Sequence, residues 1–134
     1  MLPPAEKVLA IDFGTVRVGL ALSFGTLADP LTVIPNDQNM LSYICNIINN
    51  YKITRVIVGL SENEMARKTQ EFVIQLKRLV KIPIDFHDET LSSHSVRSKL
   101  AAQHKTQKQP IDHLAAAEFL QDWLDTRPTK VPGL

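Results

Sequence analysis

The stretch Val8–Ser23, VLAIDFGTVRVGLALS, decides how the rest of the chain is read. Val8, Leu9, Ala10 and Ile11 form an apolar run suited to a buried strand. Val16, Val18, Leu20 and Leu22 alternate with Arg17, Gly19, Ala21 and Ser23, the period of a second strand. Asp12, Phe13, Gly14 and Thr15 form the turn of a β-hairpin, with Gly14 available for unusual backbone angles. Asp12 is then a carboxylate at the end of an apolar strand. Such a group is costly unless positive charge or hydrogen-bond donors meet it, and a divalent cation is one such partner.

Working outward, Leu31–Ile34 reads as a third strand after a turn-like Gly25–Pro30. Leu41, Ile44, Ile47, Ile48 and Tyr51 recur at helical spacing and predict a helix over 39–51. Arg55–Leu60, RVIVGL, has the pattern of a central parallel strand. Glu62–Val80 reads as an amphipathic helix with Met65, Thr69, Phe72, Val73, Leu76, Leu79 and Val80 inward, stopped by Pro83. Ile84–His87 is a fifth strand, followed by Asp88 and Glu89. Ser92 or Ser93 can cap a helix carrying Val96 and Leu100, and 101–109 reads as a polar, basic loop. The last helix covers about 111–125, with Ala115, Phe119 and Trp123 as a ridge. The tail, about 127–134, is rich in Pro and Gly and reads as flexible.

This order predicts one α/β domain over 1–134: a five-stranded mixed sheet, three antiparallel strands then two parallel ones, flanked by about four helices. Chemistry in such sheets gathers beyond the C-terminal ends of the parallel strands. Asp12, Asp88–Glu89 and, from the first turn of the last helix, Asp112 are expected there. Acids converging from separate segments suit hard cations such as magnesium, and paired ions can drive phosphodiester hydrolysis. Each acid also has a local alternative. Asp12 could close a turn onto Gly14 or Thr15, Glu89 could be a surface acid near a helix cap, and Asp112 could complement a helix dipole. Arg17, Lys105 and Lys108 could be solvated side chains or phosphate contacts. His87, His94, His104 and His113 suit structural roles better than hard-cation ligation. No phosphate-cradling Gly-rich loop or zinc-type Cys/His spacing is present.

A hydrophobic fraction of 44% supports a real core, and the net charge of +1 leaves any nucleic-acid surface to local clustering. No run approaches a membrane span, and Met1–Lys7 lacks a signal-peptide layout. The single Cys45 cannot form an internal disulfide, which points to a reducing, cytoplasmic setting.

Four segments together resemble the YqgF/RuvX family of the ribonuclease H-like superfamily: AIDFGTVRVGLALS, VIVGL, HDETLSS and PIDHLAAAEFLQDWLD. These small bacterial proteins are described as Holliday junction resolvases and pre-16S ribosomal RNA nucleases. The resemblance implies a metal-dependent endonuclease with Asp12, Glu89 and Asp112 as catalytic, metal-binding acids for Mg2+ or Mn2+. It implies Arg17 near the substrate phosphate, with Thr15, Lys105 and Lys108 as further substrate contacts. The implied partner is nucleic acid, structured RNA ahead of branched DNA, with homodimerisation plausible for a symmetric substrate. The chain departs from the family pattern at Thr90, in the shortened loop 61–65 and in a basic segment holding only Lys105 and Lys108. Those departures keep open a second reading, a non-catalytic RNA- or ribosome-associated module. The Asp-Phe-Gly-Thr turn also resembles that of actin-like ATPases and sugar kinases, but those clamp nucleotide between two such domains.

Overall fold

A computed structural model describes residues 6–60, 64–88 and 112–126. The strands are β1 (Val8–Phe13), β2 (Arg17–Phe24), β3 (Leu27–Pro35), β4 (Arg55–Leu60) and β5 (Ile84–Asp88); the helices are α1 (Met40–Asn50), α2 (Glu64–Leu79) and α3 (Asp112–Thr126). They form one five-stranded sheet in the order β3-β2-β1-β4-β5. β1 pairs antiparallel with β2 and parallel with β4, β2 pairs antiparallel with β3, and β4 pairs parallel with β5. The expected mixed sheet is therefore present. The helix expected after Ser92 or Ser93 lies outside the described residues, which hold three helices.

Two apolar layers cover the sheet. On one face α1 contributes Met40, Ile44, Ile47 and Ile48, and α2 contributes Phe72, Val73 and Leu76. They cover Leu9, Ile11, Val18, Leu20, Val56, Val58 and Ile84. On the other face α3 brings Ala116, Phe119 and Leu120 onto Val8, Ala10, Ala21 and Ile57. The alternation along β1 supplies both layers, as expected for a central strand. The face under α3 is built from smaller residues than the face under α1 and α2, so a single helix can approach it closely.

β3 begins earlier than its sequence suggests, at Leu27 rather than Leu31. Pro30 sits inside the strand, where the register with β2 shifts between Leu20 and Ala21. Pro30 lacks an N–H, and an edge strand with a bulge tolerates it. Leu79 was expected to face inward, but it is exposed on the last turn of α2. Burial of Cys45 on α1 pushes its thiol pKa up, which makes it a slow nucleophile.

α1 ends in a Schellman motif. Ile53 N–H donates to Ile48 O at 2.9 Å and Lys52 N–H to Asn49 O at 3.4 Å. Lys52 takes a left-handed φ of 56°, a conformation costing a side-chain-bearing residue about 1 kcal/mol. Lys52→Gly is therefore expected to stabilise the protein by about 1 kcal/mol, read as a higher denaturant midpoint with an unchanged slope.

Candidate nucleic-acid cleavage site

Asp12 is the fifth residue of β1 and half-buried, directly after Ile11, which has 0% exposure. It pairs with Gly19 of β2. One step beyond the Ile11–Val58 pair on the other side lies Gly59, which pairs with His87 of β5. Gly19, Asp12, Gly59 and His87 thus form one row across four strands. By the alternation that carries Val8 and Ala10, Asp12 belongs to the α3 face. Glycine on both flanking strands leaves no side chain beside the Asp12 carboxylate within the sheet.

The β1–β2 turn is held from outside. Asn36 Nδ2 donates to Gly14 O at 2.7 Å, and Asn36 N–H donates to Val16 O at 2.9 Å. Gly14 does not use a positive φ, which occurs at Gly25 instead. Space is what Gly14 supplies: a Cβ there would lie 2.5 Å from the Arg17 carbonyl oxygen. Arg17 follows the turn on the same sheet face as Gly19 and Ala21, diagonal to Asp12, and its side chain is exposed, as is Thr15.

α3 is anchored by its C-terminal half at the edge where β1 and β4 begin. Ala28 N–H donates to Gln121 Oε1 at 2.9 Å, and Gln121 Nε2 donates to Thr26 O at 2.9 Å. The guanidinium of Arg55 lies 6.0 Å from the Trp123 ring centroid. Arg55 also donates from Nε to Glu6 at 2.8 Å and from Nη1 to Asp85. The Glu6 and Asp85 carboxylates raise the Arg55 pKa, so its charge persists throughout the working pH range. Ala115 and Ala116 nearer its start are buried too. On the β5 side, His87 hydrogen-bonds Asp122 at 3.1 Å and stacks on Phe119 with centroids 6.1 Å apart.

Of the residues singled out from the sequence, Asp12, Thr15 and Arg17 come to one end of the sheet, and Asp112 is the first residue of α3. Glu89, Lys105 and Lys108 lie outside the described residues, as does the side chain of Asp112. Among the described residues no three His, Cys, Asp or Glu side chains cluster as a ready metal site. Asn36, Asp122 and the clamp at Arg55 were not foreseen. They act between segments distant in sequence, and no local pattern marks them.

The profile of the RuvX family, described as Holliday junction resolvase, matches residues 6–126. The chain belongs to the RuvX family. A protein of Sulfurihydrogenibium sp. named "Putative pre-16S rRNA nuclease" is 39% identical, over 90% of this chain and 90% of that one. A protein of the same name from Anaeromyxobacter sp. is 34% identical, over 90% of this chain and 98% of that one. Among solved structures, Thermus thermophilus RuvC in complex with Holliday junction substrate superimposes with a TM-score of 0.64 at 16% identity, covering 92% of this chain and 96% of that one. The fowlpox virus Holliday junction resolvase does so with a TM-score of 0.54 at 13% identity, covering 89% of this chain and 98% of that one. These likenesses establish the ribonuclease H-like fold. No described helix is long and apolar enough to cross a membrane.

Because the Gly14 site is closed by backbone, Gly14→Ala is expected to cost about 2 kcal/mol of stability, measured by denaturant unfolding. Asn36→Ala, which frees the turn without a clash, should cost about half as much.

Proposed function

We propose that this RuvX-family chain is a metal-dependent endonuclease that processes the 5′ end of pre-16S ribosomal RNA. The observation that carries the reading is Asp12, a half-buried carboxylate fixed at the end of a central strand, with glycines in its row on both neighbouring strands. The relatives' names supply the RNA substrate. A second reading, a Holliday junction as substrate, is favoured by the family description.

The donor set fits a hard cation. Asp12, Glu89 and Asp112 offer only carboxylate oxygens, the ligands magnesium and manganese prefer. β5 sends Asp85 toward Arg55 and His87 toward Asp122, both on the α3 side. A bound divalent ion supplies charge neutralisation at the scissile phosphate and a water of lowered pKa.

The chain's own residues do the rest. β1 holds Asp12 against displacement, because Val8–Ile11 are packed on both faces. Arg17, on the same face and past the turn, offers a planar guanidinium to a phosphate oxygen. Thr15 adds a hydroxyl donor at the turn. The His87–Asp122 bond ties β5 to α3, the two elements that lead to Glu89 and carry Asp112.

Asp12→Asn should lower Mg2+-dependent cleavage of a precursor 16S leader RNA at least 100-fold without unfolding the chain. Running a four-way DNA junction in parallel separates the two substrates. Cleavage retained in that variant, or unaffected by EDTA, would remove Asp12 and the metal from the mechanism.

A further inference from the structure

The two faces of β1 end differently. Asp12 belongs to the α3 side, whereas Phe13, one residue on, stacks on Phe72 of α2 with ring centroids 4.6 Å apart. Beside those rings an open cavity of about 380 Å³ lies against the β1–β2 turn. Phe13, Phe72 and Met40 give it an apolar floor. Its α2 wall is the stripe Lys68, Glu71, Phe72 and Gln75, spaced i, i+3, i+4 and i+7 along one helix face. Thr15 and Asn36 close the side nearest the turn.

The floor belongs to the core, since Phe72 and Met40 are buried, but the polar rim does not. Lys68, Glu71 and Gln75 are exposed, so their heads stand around the mouth while the aromatic pair lies beneath. The volume lies within the usual range for small-ligand pockets. Its rim carries an ammonium, a carboxylate, two amides and a hydroxyl, so donors and acceptors both surround a flat apolar floor. That combination suits a planar heterocycle with polar edges. An unstacked nucleobase has this chemistry, and proteins read such bases by aromatic contact and edge hydrogen bonds. Lys68 at the mouth also suits the phosphate that travels with the base.

We infer that this cavity docks one unpaired nucleobase of the substrate, close to the phosphate at Asp12. The inference rests on the nuclease reading and adds a requirement: the cut lies beside single-stranded nucleic acid. A strand crossing the end of β1 sets a phosphate against Asp12 and Arg17 on one side. It turns a neighbouring base over Phe13 into the cavity on the other. A fully paired duplex keeps its bases stacked inside and offers none to the cavity.

The test measures docking without cleavage. Short single-stranded RNA and DNA probes carry 2-aminopurine, or an abasic site, at successive positions, and binding to the full chain is read in EDTA. At one position the fluorophore is expected to be quenched, and the abasic probe to bind about tenfold more weakly. Gln75→Ala, on the exposed face of α2, should change which base is preferred at that position. Phe13→Leu, keeping apolar volume but no ring, should shrink the abasic penalty to under about threefold, with folding checked by circular dichroism. Comparing the RNA and DNA probes shows which backbone the cavity accepts. The inference is overturned if no position of the unmodified protein carries an abasic penalty. It is equally overturned if quench, penalty and base preference all persist in folded Gln75→Ala. The nuclease reading is judged separately, by Asp12→Asn cleavage in Mg2+, so either can fail while the other stands.

Discussion

The burial of β1 on both faces is the constraint on which everything else depends. Val8, Leu9, Ala10 and Ile11 are at most 1% exposed, two serving each apolar layer. Fully burying an aliphatic side chain of this size is worth about 1.5–3 kcal/mol, so the strand cannot slide or flip without exposing core. A one-residue slip would exchange the two faces and drive Asp12 into the layer of Phe72 and Leu76. The position of the carboxylate along the sheet is therefore set by hydrophobic registry in β1.

The difference between the two faces follows from side-chain size. Under α1 and α2 the sheet presents Leu9, Ile11, Leu20, Val56 and Val58. Under α3 it presents Ala10 and Ala21 with Val8 and Ile57. Small side chains let α3 lie low and meet the sheet through Ala116. Toward the end of β1 the trend continues to Gly19 and Gly59, the neighbouring-strand positions in Asp12's row. At the opposite edge, the contacts of Gln121 with Thr26 and Ala28, and the Arg55 cluster beneath Trp123, fix the helix where no chemistry is expected.

The succession of strands and the buried face of α1 were legible from local periodicity, and strand direction from the connections between elements. Val8–Ile11 reads as a buried strand and Arg55–Leu60 as a central one, and both are. The start of β3 was not legible, because Pro30 marks a turn unless an edge bulge is available to hold it. Leu79 was misplaced because helical spacing continues past the point where α2 still has the sheet beneath it. Gly14 was singled out for its backbone freedom, yet its role is to admit the Arg17 carbonyl; a sequence shows the glycine but not the atom it faces. Of the candidate site, Asp12, Thr15 and Arg17 follow from the hairpin alone. Asn36, His87 with Asp122, and the α2 stripe depend on contacts between segments 22 or more residues apart, as with Asn36 and Gly14.

The alternation that separates Asp12 from Phe13 has a consequence for recognition. Successive residues of a strand face opposite sides, so the last two residues of β1 cannot serve the same surface. One supplies a carboxylate to the α3 face and the other an aromatic ring to the α2 face, while their Cα atoms stay about 3.8 Å apart. The fixed turn beyond them, closed by Asn36, keeps both at the rim of the sheet rather than inside it. A ligand long enough to bend over that rim touches both faces at once; a compact one touches only one. Nucleic acid in single-stranded form can bend that way, with its charge on the backbone and its flat apolar surface on the bases. In the proposed reading, phosphate chemistry and base contact would be coupled at the strand end by covalent geometry alone, since displacing either residue moves the other.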